Sequence, residues 1–159
     1  MASLPSDVGQ LLCSEFDAFV ARGDSPAEWE ELQARLWRWF QSLDEPLAFE
    51  GMLWVFEHSD RYQHQLLAGE LLARRRVPLL IPPADFLRRI APRLNASARE
   101  IVHYLATEAG LEVARREVQS ITRAATDQRM QAGLRSAAYW LALKEAEQPP
   151  GVTAPNGGG

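Results

Sequence analysis

Helix-stop and helix-start signals recur along this chain at intervals too short for most folds, and the apolar residues between them repeat every three or four positions. Ser25-Pro-Ala-Glu28 is the clearest. A serine can cap, a proline occupies the first helical position where no amide partner is needed, and a glutamate stands at the capping-box position. Gly23 ends the preceding segment and Asp44-Glu-Pro46 opens the one that follows. A chain punctuated in this way folds as successive antiparallel helical hairpins.

In chain order, residues 6–22 form the first expected helix, with Val8, Leu12, Cys13, Phe16, Phe19 and Val20 toward the core. The second carries Trp29, Leu32, Leu36, Trp39, Phe40 and Leu43 at helical spacing, and the third carries Phe49, Met52, Leu53 and Phe56. Ser59 to Arg76 reads as a capped inner helix, with Ser59 as cap, Asp60 in the first turn and three arginines in the last. Its apolar stripe is Tyr62, Leu66, Gly69 and Ala73, and Leu67 and Leu71 widen the surface enough to meet neighbours on more than one side. Three prolines in Val77-Pro-Leu-Leu-Ile-Pro-Pro83 forbid helix, and a lone strand there would lack a partner, so the segment is expected to be an extended connector. Residues 84–94 form a short helix that Pro92 kinks or ends. Ser97-Ala-Arg-Glu100 offers another capping box, Gly110 a stop, residues 111–125 a further helix, and Thr126 or Asp127 the cap of the last. Residues 1–147 are thus expected to be one all-helical domain of about eight helices in four hairpins, followed by a disordered Pro/Gly-rich tail at 148–159.

The 159 residues and 47% hydrophobic content supply a sizeable core. Net charge is -4, but it is unevenly placed: residues 1–60 hold three arginines against twelve acids, and residues 61–135 hold thirteen against seven. The two parts are therefore expected to attract one another, within one molecule or between copies. A single cysteine, Cys13, rules out an intrachain disulfide and reads as a packing residue. Neither a leader-like start nor a long apolar run is present, which points to a cytoplasmic setting with no membrane contact.

The segment Asp127-Gln-Arg-Met-Gln-Ala-Gly-Leu-Arg-Ser-Ala-Ala-Tyr-Trp-Leu141 resembles the inner helix of HEAT-like repeats, with an early acid and basic residues followed by small ones. Ser59 to Ala73 and Ser97 to Ala109 are looser matches, so the likeness covers roughly residues 55–143. It implies a HEAT-like stack for residues 44–147, with residues 1–43 as a large aromatic hairpin capping one end; an irregular helical bundle is the alternative. The likeness also implies an interaction or scaffold role, and, because some HEAT-like proteins act on damaged DNA, a second reading as a nucleic-acid-binding or glycosylase-like protein. For that second reading Asp127, Tyr139 and Trp140 would have to supply an acid with nearby aromatics.

Nothing in the residues calls for a cofactor. Glu57, His58, Asp60 and His64 form the only local cluster with metal-ligand chemistry, and the spacing lacks a second ligand pair, so they read as solvated residues at a helix start. His103 stands near Glu100 and Glu108 without a serine or cysteine to pair with. Phosphate-binding and dinucleotide-binding glycine patterns are absent. The arginines carry more information. Arg74, Arg75 and Arg76, then Arg88, Arg89 and Arg93, then Arg115 and Arg116, are expected to project from successive helices into one groove that grips an acidic protein segment or the phosphates of nucleic acid. Trp37 and Trp54 fit the core stripes least well and are the expected exposed aromatic contacts.

Overall fold

A computed structural model describes residues 4–23 and 25–148, and the expected tail from residue 149 onward lies outside the described residues. These contain eight α-helices and one short 3-10 turn: α1 Pro5–Arg22, α2 Pro26–Ser42, α3 Glu45–His58, α4 Tyr62–Arg75, α5 Pro83–Ile90, η1 Ala91–Arg93, α6 Arg99–Ala109, α7 Leu111–Ala124 and α8 Gln128–Glu147. Odd-numbered helices pack in succession, α1 on α3, α3 on α5 and α5 on α7; the even-numbered ones do the same, α2 on α4, α4 on α6 and α6 on α8. Two rows of helices result, and the core lies between them. Among the described residues no helix is long and apolar enough to cross a membrane.

The strongest start signals behave as written. Ser25 Oγ accepts from Glu28 N–H while the Glu28 carboxylate accepts from Ser25 N–H, and the Asp44 and Asp127 side chains accept from Leu47 and Met130 N–H at 2.8 Å each. Two others do not cap. α4 begins at Tyr62, and Ser59 Oγ accepts from Arg61 N–H at 3.3 Å in a local turn before it. α6 begins at Arg99 with no side-chain cap, because Ser97 is drawn into a turn by Asn95, whose Oδ1 accepts from Ser97 N–H at 3.0 Å. Pro92 ends α5, and the chain tightens into η1 before leaving as a loop.

Burial on α4 also differs from the expected stripe. His64, Gln65, Leu67, Ala68, Gly69, Leu71 and Leu72 are buried, Tyr62 and Leu66 are half-buried, and Ala73 is exposed. The reason is that α4 touches α1, α2, α3 and α6 at once, so no single stripe describes it. Gln65 is the polar centre of this packing: its Nε2 donates to Ser59 O at 2.8 Å and Arg93 O at 2.7 Å, and its Oε1 accepts from Asn95 N–H at 2.9 Å. Every face of the amide is satisfied. On α1, Val20 is 52% exposed rather than core. The connector after α4 is irregular; buried Val77 accepts a 2.9 Å hydrogen bond from the Tyr104 hydroxyl, whose proton burial makes harder to lose. At the far end α8 crosses η1 so closely that a Cβ on Gly133 would run into the backbone carbonyl of Ala91.

Candidate interaction cleft

Glu70, Ala73 and Arg74 stand three and four residues apart on α4, so they share its exposed face, opposite the buried Ala68 and Leu72. α6 approaches one flank of that face. Gly69 permits the approach, since a Cβ there would stand only 3.0 Å from Ile101 N and 3.1 Å from Glu100 Cβ. Between the two helices lies an open cleft of about 660 Å³, lined by Glu70, Ala73, Arg74, Arg99, Glu100 and His103, with Glu147 of α8 also at its edge. A neighbouring recess of about 450 Å³ shares Ala73 and His103 and continues past Arg76 and Thr107. On the other flank a smaller recess runs between α4 and α2, bordered by Gln33, Leu36, Leu71 and Arg74.

The electrostatics of the cleft are unusual for a free surface. Glu100 Oε1 accepts from Arg99 Nε at 3.0 Å, whereas Glu100 Oε2 is buried without a hydrogen-bond partner, and His103 Nε2 is in the same state. Burial, and secondarily the Glu100 carboxylate, raise the Glu70 carboxyl above its ordinary range. Burial, with Lys144 adding to it, lowers His103 below the ordinary histidine value.

Of the residues that the sequence marks for interaction, three border this region. Arg74 lies over the Trp37 ring, 4.2 Å from its centroid, and Arg76 reaches the second recess. Most of the others are committed elsewhere. Arg75 donates to Phe40 O and Leu43 O at 2.7 Å each, closing the C-terminus of α2. Arg89 is held between Glu50 and Glu57 of α3, with contacts of 2.6–3.1 Å, and those two carboxylates raise its already high pKa. Arg88 pairs with Asp85, Arg115 with Glu145 and Glu112, and Arg116 with Glu117. Arg93 is exposed at the end of η1, and its carbonyl accepts from Gln65. Trp37 and Trp54 are half-buried against the core; Trp54 stacks on His58 at 4.2 Å and lies over Gly9. Tyr139, at 58%, is the most exposed aromatic among the described residues.

The expected solvated cluster at the start of α4 is also revised. His64 is buried, its Nδ1 2.8 Å from Ser59 Oγ and its Nε2 2.8 Å from Asp17 Oδ1, and Arg61 pairs with the same carboxylate oxygen. Glu57 belongs to the Arg89 pair. Ser59, His64 and Asp17 form a linked chain in which Arg61 N–H also donates to the Ser59 hydroxyl, and Phe16 meets edge-on, at 5.8 Å, the buried histidine ring. Its role is to fasten α1 to the turn before α4. Among the described residues no three His, Cys, Asp or Glu side chains are close enough to hold a metal ion.

Glu70, Arg99, Glu100, His103 and Glu147 are functional candidates that sequence reasoning did not select. Glu100 and His103 do stand three apart on α6, a spacing that places them on one face. What joins them to Glu70 is the α4–α6 contact, which Gly69 alone does not announce. No protein-family model, no curated protein and no solved structure matches this chain.

Proposed function

We propose that this chain is a noncatalytic interaction module with HEAT-like hairpin stacking, and that it receives a protein segment along the outer face of α4. The observation that carries this reading is the run of clefts flanking that face, where charged groups and the Arg74–Trp37 pair stand at the rim and two buried polar atoms in the floor lack partners. A cleft of this size suits side chains of a docked segment, and rim pairs such as Arg74 on Trp37 supply contact area with little ordering cost. A cytoplasmic setting belongs to the same reading.

The nucleic-acid alternative finds less support. Asp127 caps α8, and Tyr139 lies twelve residues farther along the same helix, about 18 Å away at 1.5 Å per residue. Trp140 is turned to donate from Nε1 to Ala96 O at 2.9 Å. Most of the arginines meant for phosphates already have carboxylate or carbonyl partners.

Selection from a random peptide library against the immobilised protein tests the proposal, with Ala73→Trp as counter-target. Ala73 is exposed, so a tryptophan there fills the cleft without entering the core. Enriched peptides should bind the native chain at least tenfold more tightly than the variant. Peptides that bind both equally would sink the reading.

A further inference from the structure

We propose that copies of this chain associate head to tail, the outer face of α8 in one copy lying along the outer face of α1 in the next. A helix on the outside of a stack ordinarily turns charge to water, and α7 does so with exposed Glu112, Arg116, Gln119 and Arg123. α8 does not. Ala132, Arg135, Tyr139, Ala142 and Ala146 follow one another at alternating spacings of three and four, the period of a helix–helix seam; all are exposed, and Arg135 is the one charge among them. Leu143, 38% exposed, widens the apolar strip beside Tyr139. The same spacing recurs on α1, from its N-cap onward, in exposed Leu4, Asp7, Leu11, Ser14 and Ala18, with Asp7 as the one charge. Four of the six exposed large hydrophobic side chains among the described residues, Leu4, Leu11, Tyr139 and Leu143, lie on these two strips, so these faces gain most from being covered.

The two strips complement each other better than either complements itself. The charge is second in line on both and opposite in sign, so a parallel pairing that sets Leu4 against Ala132 also sets Asp7 against Arg135 and Leu11 against Tyr139. Asp7 accepts from Leu4 N–H through Oδ2 at 3.1 Å, which leaves Oδ1 for a guanidinium, and among the described residues Arg135 makes no ion pair. Pairing α8 with α8, or α1 with α1, gives the charge within one strip no opposite within the other. The excess of acids in residues 1–60 and of arginines in residues 61–135 favours the same polarity. Because each copy brings two different faces, the contact is heterologous, and assembly continues past the dimer or closes into a ring. A contact one helix long is small for a lasting interface, so the association is reversible.

Sedimentation velocity of the full chain from about 5 µM to about 500 µM should show a sedimentation coefficient that rises with concentration. Leu11→Glu and Tyr139→Glu, both at exposed positions, should each weaken association at least about tenfold, with helicity by circular dichroism unchanged. An equal mixture of the two variants retains one intact α8 face and one intact α1 face, so it should form a one-to-one dimer and nothing larger. Ala18→Glu and Ala142→Glu take their places if either loses helicity. A chain that stays monomeric throughout, assembly that survives both variants, a Leu11→Glu protein that still dimerises, or a mixture that stays monomeric would each overturn the head-to-tail contact. The contact is independent of the α4 cleft: Ala73→Trp should assemble as the native chain does, and loss of assembly there would move the interface to α4 and overturn it as well.

Discussion

His64 on α4 and Asp17 on α1 are joined by a 2.8 Å contact between Nε2 and Oδ1, and the other ring nitrogen of His64 is 2.8 Å from Ser59 Oγ. The ring is buried while the carboxylate is half-exposed, so the cost of losing the pair falls mostly on the histidine side. His64→Ala should destabilise the fold by about 2–3 kcal/mol, from the cavity and the lost hydrogen bonds together. Asp17→Asn, which retains an acceptor and remains near solvent, should cost less than half as much. Urea denaturation of the two variants checks the order; equal losses would mean that His64 does not anchor α1.

Arg74, Arg75 and Arg76 are adjacent in sequence and differ in what they do. Arg75→Ala removes two bonds to the end of α2 and should cost about 1–2 kcal/mol, whereas Arg74→Ala removes one exposed contact with Trp37 and should cost under about 1 kcal/mol. Arg76 ends α4 at φ 56°, the left-handed region. Arg76→Gly should therefore raise stability by roughly 0.5–1 kcal/mol. Thermal melts of the three variants distinguish them by sign and size.

Gly133 is where α8 meets η1. Gly133→Ala places a methyl against the Ala91 carbonyl, which is backbone and cannot rotate away, so a loss of about 2–3 kcal/mol is expected despite the better helix propensity of alanine. A neutral or stabilised variant by chemical denaturation would show that the two elements separate readily.

Cys13 is half-buried, and burial, with Asp17 adding to it, pushes its thiol up to about 11 from 9.0. At pH 9 the reactive thiolate thus falls from about half the population to about one part in a hundred. Alkylation by iodoacetamide at that pH should be about fifty-fold slower in the folded protein than in urea. Since the protonated form is favoured in the fold, the associated stability is present below pH 9 and is lost as pH rises through about 11. Comparable alkylation rates in the two states would place Cys13 in open solvent.

The helical content and the hairpin order were legible because they rest on local chemistry: Ser25, Asp44 and Asp127 cap as their neighbours dictate, and Pro92 breaks a helix wherever it falls. The starts at Ser59 and Ser97 were misleading for one shared reason. Each serine is drawn into a local turn, Ser59 by Arg61 N–H with His64 adding to it and Ser97 by the Asn95 side chain. Surface charge was the least legible property. An arginine such as Arg89 looks free in sequence, and only the packing of α5 on α3 brings Glu50 and Glu57, 39 and 32 positions away, to meet it. The same holds for the cleft, whose two walls come from α4 and α6.

Gln65 fixes a distance as well as a contact. Because one short amide reaches Ser59, Arg93 and Asn95 together, the chain leaving η1 must return to the foot of α4 in a single register. Residues added or removed around exposed Leu80 could be absorbed as slack in the connector, whereas a one-residue shift between Arg93 and Asn95 would leave the amide facing the wrong backbone groups. Length variation among natural versions of this chain should accordingly gather in the middle of the 77–83 loop and stop short of the segment that Gln65 measures.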